Sequence, residues 1–157
     1  MLKLWNDIAY NESAADARSG FYFNSNRAEV YAANCTAYVQ GGGAFYQSSL
    51  ARATLTNCLG SSVTNEVFYA DDGFQLVTTS VSSDGSLAAL GGTNAWNQTI
   101  AFANAGAADL HLSTSVSSAI HGAARDLRAD PITPFDDDID GQPRPPGAWD
   151  IGADQAP

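Results

Sequence analysis

Short stretches of alternating apolar and polar residues follow one another along the first 90 residues of the chain, separated by Gly, Asn, Ser or Asp. Alternation with a period of two is typical of β-strands with one buried face, and the separating residues favour turns. No stretch carries the periodicity of an amphipathic helix over a useful length. The pattern therefore predicts an all-β chain built from short strands.

The alternating stretches recur with a fixed 23-residue period. Cys35 and Cys58 are separated by one such period, and each follows an asparagine, Asn34 or Asn57. Two further sets of segments align at the same offset, namely residues 21–23, 44–46 and 67–69, and residues 28–33, 51–56 and 74–79. Three independent blocks that share one period indicate a repeat architecture.

A chain that repeats three short strands per period buries its apolar side by coiling, so that each strand pairs with its equivalent about 4.8 Å away. The predicted fold is a parallel β-helix, a solenoid of about four to five courses over residues 1–125. The inward positions of three successive courses are Ala28, Val30 and Ala32, then Ala51, Ala53 and Leu55, then Phe74, Leu76 and Thr78.

The first course is less regular than the others. At the 23-residue offset, Asp7 and Glu12 would take the inward places of the first course. The alternative is a shifted register that places Ile8 and Tyr10 inward. The end formed by this course has no amphipathic cap, so we expect it to continue into more courses or to meet a partner.

Asparagines mark one bend of the predicted coil. The residues that stack at this bend are Asn34, Asn57 and Ser80. The residues that follow them and point inward are Cys35, Cys58 and Val81. Two cysteines are too few for a zinc site, so we interpret Cys35 and Cys58 as buried packing residues. A disulfide between them is the alternative, although parallel Cβ vectors are poorly aimed for one.

Aromatic residues form two further columns at the same period. Tyr22, Phe45 and Phe68 are predicted to stack in the core. By alternation, their neighbours then face solvent, and these are Phe23, Tyr46 and Tyr69. An exposed aromatic strip is a candidate surface for carbohydrate contacts.

Residues 126–157 form a distinct acidic and proline-rich tail. The chain has a net charge of −10, and the tail contributes −6 of it together with all six prolines. Proline cannot continue a strand ladder, so the tail is predicted to pack on the last courses. The acidity argues against nucleic-acid partners, and no apolar run approaches the ~20 residues of a membrane span.

The C-terminal third carries motifs that resemble a known ending. These are Asp138-Ile139-Asp140-Gly141-Gln142-Pro143-Arg144 and Asp150-Ile151-Gly152-Ala153, which follow segments 101–104, 109–112 and 117–120. Residues 100–155 resemble the closing segment of bacterial extracellular right-handed parallel β-helix proteins of the pectate-lyase-like architecture, especially choice-of-anchor Q domain proteins. Two departures are His121, where the family often has an acid, and the lack of an anchor segment after Pro157. The resemblance implies a secreted or surface-displayed protein.

The acids of the tail suggest a cation site. Asp136, Asp138 and Asp140 have an alternating spacing followed by Gly141, which is typical of carboxylates that converge on Ca²⁺. No other cofactor is predicted. The alternative is a structural role, in which Asp138 or Asp140 pairs with Arg144 and caps turn amides. Arg144 and Asp150 would then fix the tail onto the coil.

The charged residues of the repeat do not favour catalysis. A lyase or hydrolase of this architecture needs acids and a base on one outer face, and no such cluster recurs at the 23-residue step. His111 and His121 are assigned to tail packing. A flat threonine array for binding a crystalline surface is a further alternative, carried by Thr54, Thr56, Thr78 and Thr79.

The function predicted from the sequence is therefore a non-catalytic, extracellular structural, adhesive or glycan-contacting module. Its partners would be surface glycans, or other copies or courses that meet its open N-terminal end. The alternative is the C-terminal part of a polysaccharide lyase or glycoside hydrolase whose catalytic courses lie upstream. The fold does not decide between them, because one architecture can carry several functions.

Overall fold

The computed structural model describes residues 1–13, 15, 18–24, 29–48 and 51–157. Eleven of its strands form three parallel sheets, in which successive segments of the chain stack on one another. Sheet 1 contains β1 (Leu2–Trp5), β4 (Glu29–Ala33), β7 (Arg52–Thr56) and β10 (Leu76–Thr78). Sheet 2 contains β2 (Ile8–Asn11), β5 (Thr36–Val39), β8 (Leu59–Ser62) and β11 (Val81–Ser82). Sheet 3 contains β3 (Phe21–Phe23), β6 (Phe45–Gln47) and β9 (Phe68–Ala70).

The chain is thus all-β, and its parallel stacking is consistent with a solenoid. We call one passage through the three sheets a course. Three courses contribute a strand to every sheet, and a fourth contributes β10 and β11. Within the described residues, no helix is both long and apolar enough to cross a membrane.

The offset between stacked strands changes from course to course. Val30 pairs with Ala53 on the next course, which keeps the period of the repeat. Val30 also pairs with Leu2 on the preceding course, and this offset is longer than the period. Leu76 on the fourth course pairs with Thr54 at an offset that is one position shorter than the period. Because side chains alternate, a change of one residue exchanges the two faces of a strand.

The shorter offset corrects the predicted third set of inward residues. Val77 is buried and points into the core, whereas Leu76 is 52% exposed. The same shift moves the following residues by one place. Thr79, rather than Ser80, stacks on Asn57. Ser80 then stacks on Cys58, and Val81 pairs with Leu59. The predicted positions of Leu76, Ser80 and Val81 are therefore wrong by one residue. Ala28, another predicted core position, lies outside the described residues.

The first course follows neither of the two registers that the sequence suggested. Ala9 pairs with the buried Ala37, so Ala9 takes the inward place and its neighbours Ile8 and Tyr10 lie on the other face. The ring of Tyr10 stacks on that of Tyr38 at a centroid distance of 5.8 Å. Additional residues between β2 and β3 account for most of the longer course.

Stacked phenylalanines and small residues fill the space between the three sheets. Phe45 lies between Phe21 and Phe68, with centroid distances of 5.2 and 4.8 Å. Gly60 faces this column from sheet 2, where a Cβ atom would lie 2.3 Å from Cγ1 of Val67. The absence of a side chain at Gly60 is therefore what lets the column pack.

We expect Gly60→Ala to lower the free energy of unfolding by about 1–3 kcal/mol, because the added methyl group overpacks a filled core. Denaturant unfolding measures the change. The matched control is Gly85→Ala, since the nearest atom to a Cβ there is 3.9 Å away. Equal unfolding midpoints for the two variants would show that the core at Gly60 is looser than these distances indicate.

The last strand of the stacked sheets is β11, which ends at Ser82, and one isolated parallel bridge, between Val81 and Ala95, extends the stack beyond it. β12 (Phe102–Asn104) and β13 (Asp109–Leu112) form an antiparallel hairpin, joined by a 3-10 turn at Ala105–Ala107. Phe102 contacts the ring of Tyr38 edge to face at 6.0 Å, which places the hairpin against the outer face of sheet 2. A second apolar cluster forms there from Leu59, Val81, Leu112, Ile120 and Ile151.

The tail lies along the bend between sheets 1 and 2 and contacts every full course. Asn6, Asn34 and Asn57 occupy this bend with positive φ angles of 52°, 48° and 55°. Nδ2 of Asn6 donates to the carbonyl oxygen of Asp137 at 2.8 Å, Nδ2 of Asn34 donates to that of Gly152, and the backbone N–H of Gly152 donates to the carbonyl oxygen of Asn57 at 2.9 Å. The tail therefore also packs on the first course, whereas the sequence suggested packing on the last courses alone.

Candidate functional site

Three tyrosines form a column on the outer face of sheet 3, two of them exposed and the central one partly buried. Tyr22, Tyr46 and Tyr69 pair in register, and we call them the tyrosine column. Tyr22 stacks on Tyr46 with a centroid distance of 4.9 Å and an interplanar angle of 12°, while Tyr69 is tilted by 44° at 5.2 Å. The column therefore presents ring edges and hydroxyls to solvent. Tyr22 and Tyr69 are the two end rings of the column and are 52% and 45% exposed.

This geometry corrects the predicted outward strip. Phe21, rather than Tyr22, pairs with Phe45, because the offset between β3 and β6 is one position longer than the period of the repeat. Tyr22 is consequently 52% exposed, and Phe23 is only 5% exposed. The prediction that Phe23 faces solvent is wrong, whereas Tyr46 and Tyr69 do lie on the outer face.

A groove of about 410 Å³ lies beside the tyrosine column. Tyr46 and Tyr69 line one side of the groove, and Asn65 and Glu66, from the turn before β9, contribute an amide and a carboxylate. Gly43 also lines the groove, and a Cβ there would approach the carbonyl oxygen of Glu66 to 3.1 Å. The groove thus combines aromatic walls with hydrogen-bonding groups.

An acid holds the central tyrosine of the column. The hydroxyl of Tyr46 donates to the carboxylate of Asp71, with oxygen–oxygen distances of 3.2 and 3.3 Å. Burial against the neighbouring rings, and then this hydrogen bond, raise the pKa of Tyr46. The hydroxyl therefore stays protonated and the ring is held in place.

A second polar cluster lies where the hairpin meets the tail, and we call His111, Asp140 and Asp154 the histidine–aspartate cluster. One possible ligand atom from each residue lies within 4.8 Å of the others. Nε2 of His111 is 3.1 Å from Oδ2 of Asp140. Burial raises the pKa of Asp154, although its Oδ2 accepts a hydrogen bond from the backbone N–H of Leu112 at 2.6 Å.

Strand alternation places the histidine of this cluster beside an acid. Asp109 and His111 are two residues apart on β13, so they share one face, while Leu110 and Leu112 are buried on the other. Nδ1 of His111 lies 2.6 Å from Oδ1 of Asp109. This hydrogen bond raises the pKa of His111 and lowers that of Asp109.

The three aspartates predicted to bind calcium do not converge in the described part of the chain. Asp136 is exposed, and Asp140 belongs to the histidine–aspartate cluster. Asp138 caps a turn, since its Oδ1 accepts hydrogen bonds from the backbone N–H groups of Asp140 and Gln142 at 3.0 and 2.8 Å. The proposed trio is therefore wrong as a single ligand set.

Arg144 is buried and binds backbone carbonyls rather than a carboxylate. Its guanidinium donates to the carbonyl oxygens of Asp137, Gly152 and Ala153 at 2.9, 3.0 and 2.7 Å. Burial lowers the pKa of Arg144, and nearby aspartates oppose the shift. Among the described residues it forms no ion pair within 4 Å, so the predicted pair with Asp138 or Asp140 is wrong.

The Asp-Ile-Gly-Ala motif lies against the asparagine bend. Nδ2 of Asn57 donates to Oδ1 of Asn34 at 2.9 Å, and Nδ2 of Asn34 donates to the carbonyl oxygen of Gly152 at 3.1 Å. Gly152 has a φ of 109°, and a Cβ there would lie 2.7 Å from Oγ1 of Thr36. Asp150 is fully buried, and its carboxylate accepts from the backbone N–H of Gly122 at 2.6 Å. The motif thus has a packing role here.

The two cysteines offer no reactive thiol, and the second histidine lies beside a buried acid. Cys35 and Cys58 are fully buried and form no disulfide. Burial, and then a hydrogen bond with Cys58, raise the pKa of Cys35 well above its ordinary value, so its thiol stays protonated and unreactive. His121 lies 3.1 Å from Oδ1 of Asp150.

Two functional candidates carry no signal in the 23-residue repeat. Tyr22 reaches the outer face through a one-residue insertion, and Asp154 meets His111 only through the path of the tail. Strand alternation alone would have placed Asp109 beside His111.

Comparison with protein-family models, curated proteins and solved structures found no match to this chain.

Proposed function

We propose that this chain is a non-catalytic extracellular module whose tyrosine column and groove contact glycans. The observation that carries the proposal is the pairing of two outward-facing tyrosines, Tyr46 and Tyr69, with an amide and a carboxylate in one groove. Sites for small ligands typically combine apolar or aromatic walls with a few polar groups that fix orientation. A sugar ring has matching faces, since its C–H groups pack on an aromatic ring while its hydroxyls donate to carboxylates.

The architecture we propose for this module is a right-handed parallel β-helix. Three stacked parallel sheets with an apolar interior support it. A relationship to choice-of-anchor Q domain proteins is part of the same proposal. It is supported by the packing of Arg144 and Gly152 at the bend, which gives the two C-terminal motifs a reason to occur together.

Neutral glycans are the substrate class that the charges favour. The chain has a net charge of −10, and the groove itself contains Glu66. A uronic acid polymer would be repelled by this field, whereas neutral hydroxyls can donate to the carboxylates at no such cost. We therefore expect neutral oligosaccharides to bind more tightly than acidic ones of the same length.

The test is a titration of the full chain with neutral and acidic oligosaccharides, followed by NMR shifts of the tyrosine ring protons. We expect Tyr69→Ala to weaken neutral glycan binding about tenfold, which corresponds to a loss of about 1.4 kcal/mol. Tyr22→Ala is the matched control, because Tyr22 belongs to the same column but does not line the groove. It should change the affinity less than twofold.

Two results would contradict the glycan proposal. One is the absence of saturable binding to either class of oligosaccharide, and the other is an equal loss in both tyrosine variants. Shortened products or unsaturated sugars that accumulate during the titration would instead support the polysaccharide-enzyme alternative.

Self-association through the first course is a second candidate, favoured by one observation. β1, β2 and β3 are the edge strands of their sheets, and Leu2, which stacks on the core residue Val30, is 49% exposed. Unpaired strand edges beside open core surface favour pairing with another chain. Light scattering over a wide concentration range tests this, and a monodisperse monomer throughout would reject it.

A further inference from the structure

We propose that the histidine–aspartate cluster is a binding site for a divalent transition-metal ion, with Zn²⁺ as the best-fitting probe. The ligands would be Nε2 of His111 and one carboxylate oxygen each of Asp140 and Asp154, and Asp138 lines the same cavity. The site is independent of the proposed glycan groove. It also differs from the calcium site that the sequence suggested.

The spacing of the cluster suits a first-row metal ion. Zinc bonds of about 2.0–2.2 Å to nitrogen and oxygen place tetrahedral ligands about 3.4 Å apart. Nε2 of His111 and Oδ2 of Asp140 are 3.1 Å apart, and the ligand atom of Asp154 lies within 4.8 Å of both. Small side-chain rotations are enough to bring the three atoms around one ion.

The histidine is already oriented for coordination. Oδ1 of Asp109 lies 2.6 Å from Nδ1 of His111, on the side of the ring away from Asp140. A carboxylate that accepts from Nδ1–H fixes the tautomer whose Nε2 lone pair is free for a metal. Metal-binding histidines commonly have such a carboxylate partner. Asp109 is therefore a positioning residue.

An unpartnered buried oxygen provides the independent indication of a ligand. Asp138 is 4% exposed and lines the same cavity as the cluster, a space of about 350 Å³. Its Oδ2 has no hydrogen-bond partner among the described residues. Arg144 is the nearest buried cation, but its N–H groups are committed to carbonyl oxygens and to Asn6. A buried carboxylate oxygen without a partner is costly, and a bound cation would relieve the cost.

The ligand set favours a transition metal over calcium. Ca²⁺ binds six to eight oxygen ligands, whereas imidazole nitrogen suits zinc and its neighbours in the first row. The cluster joins β13 to the tail segment that contains Asp138 and Asp140. Zn²⁺ would therefore also fasten the hairpin to the tail.

The experiment titrates the chelator-treated full chain with Zn²⁺ and, separately, with Ca²⁺ by calorimetry. We expect one saturable Zn²⁺ site per chain and no comparable Ca²⁺ site. His111→Ala and Asp154→Asn should each weaken Zn²⁺ binding at least tenfold. Asp109→Asn should weaken it about 10- to 100-fold, the usual effect of losing a partner of a metal-binding histidine.

Matched controls separate this site from adsorption to an acidic surface. Asp136→Asn removes an exposed acid of the same segment, and His121→Ala removes the other histidine of the chain. Both should change Zn²⁺ affinity less than twofold. An equal loss of affinity in the control and cluster variants would overturn the proposal.

Ring-nitrogen NMR of the unmodified chain keeps the test valid if a variant fails to fold. The chain has only two histidines, so their signals are distinguishable by one substitution. Zn²⁺ at less than one equivalent should shift Nε2 of His111 and leave His121 unchanged. Equal shifts of both rings, tighter binding of Ca²⁺ than of Zn²⁺, or no saturation by about 1 mM Zn²⁺ would each overturn the site.

Discussion

Replacing Arg144 with methionine is expected to lower the free energy of unfolding by about 3–5 kcal/mol, a large share of the stability of an ordinary domain. Arg144 is 2% exposed, and its guanidinium donates to the backbone carbonyls of two separate tail segments, at Asp137 and at Ala153. Methionine fills similar space but donates no hydrogen bond. The carbonyl oxygens of Gly152 and Ala153 would lose a buried donor, and neighbouring aspartates would lose a positive charge.

Denaturant unfolding of Arg144→Met and Arg125→Met tests this expectation. Arg125 is the matched control, because its side chain is 55% exposed and forms a surface ion pair with Asp130 at 3.3 Å. Loss of such a pair costs about 1 kcal/mol or less. Arg144→Lys should remain closer to the methionine variant than to the original chain, since a lysine cannot reproduce the planar fork of donors. Similar midpoints for Arg144→Met and Arg125→Met would contradict the assigned role of Arg144.

The second large effect is expected from Phe45→Ala, which should lower the free energy of unfolding by about 3–5 kcal/mol. Phe45 is fully buried, and its ring lies between two others of the phenylalanine column. Alanine would leave a cavity between the three sheets. Neighbouring strands would prevent the sheets from closing this cavity. Backbone hydrogen bonds on both sides of β6 limit how far the chain can relax into that space.

Tyr22→Ala gives the matched comparison for Phe45→Ala, because Tyr22 is an aromatic residue of the same sheet that is half exposed. It should cost about 1–2 kcal/mol, less than Phe45→Ala, since about half of the side chain stays in water on folding. Thermal and denaturant unfolding of both variants provide the measurement. Equal losses for the two variants would mean that the phenylalanine column is not the centre of the core.

The sequence predicts the stacking well where one course is followed by another of equal length. β4 pairs with β7, and β5 pairs with β8, at the same 23-residue offset, because the turn between the two strands has the same length in both courses. The pairs Asn34 and Asn57, and Cys35 and Cys58, therefore stack as the sequence predicts. Elsewhere, turns lengthen or shorten by one or a few residues. The repeat puts Phe23 and Leu76 on the wrong faces for this reason, since turn length is weakly encoded and a single residue reverses a strand's faces.

The candidate sites are predicted less completely than the fold. Tyr46 and Tyr69 follow from alternation within a strand, which is a local property. The approach of Asp154 to His111 depends on how the tail lies over the hairpin, because the two residues are far apart in the sequence. Composition and spacing carry no information about such a contact. The acidic spacing of Asp136, Asp138 and Asp140 suggests a cation but cannot identify the other ligands.

The path of the tail along the bend has a consequence for how the chain folds and comes apart. Solenoids usually fray from their ends, because each repeat contacts only its neighbours. Here Nη2 of Arg144 donates to Oδ1 of Asn6, 138 positions away, and Nδ2 of Asn34 donates to the carbonyl oxygen of the tail residue Gly152, 118 positions away. Contacts of such sequence separation slow folding and join distant segments into one cooperative unit. The first course therefore gains its last stabilising partners only when the ribosome has made the residues that follow Asp136.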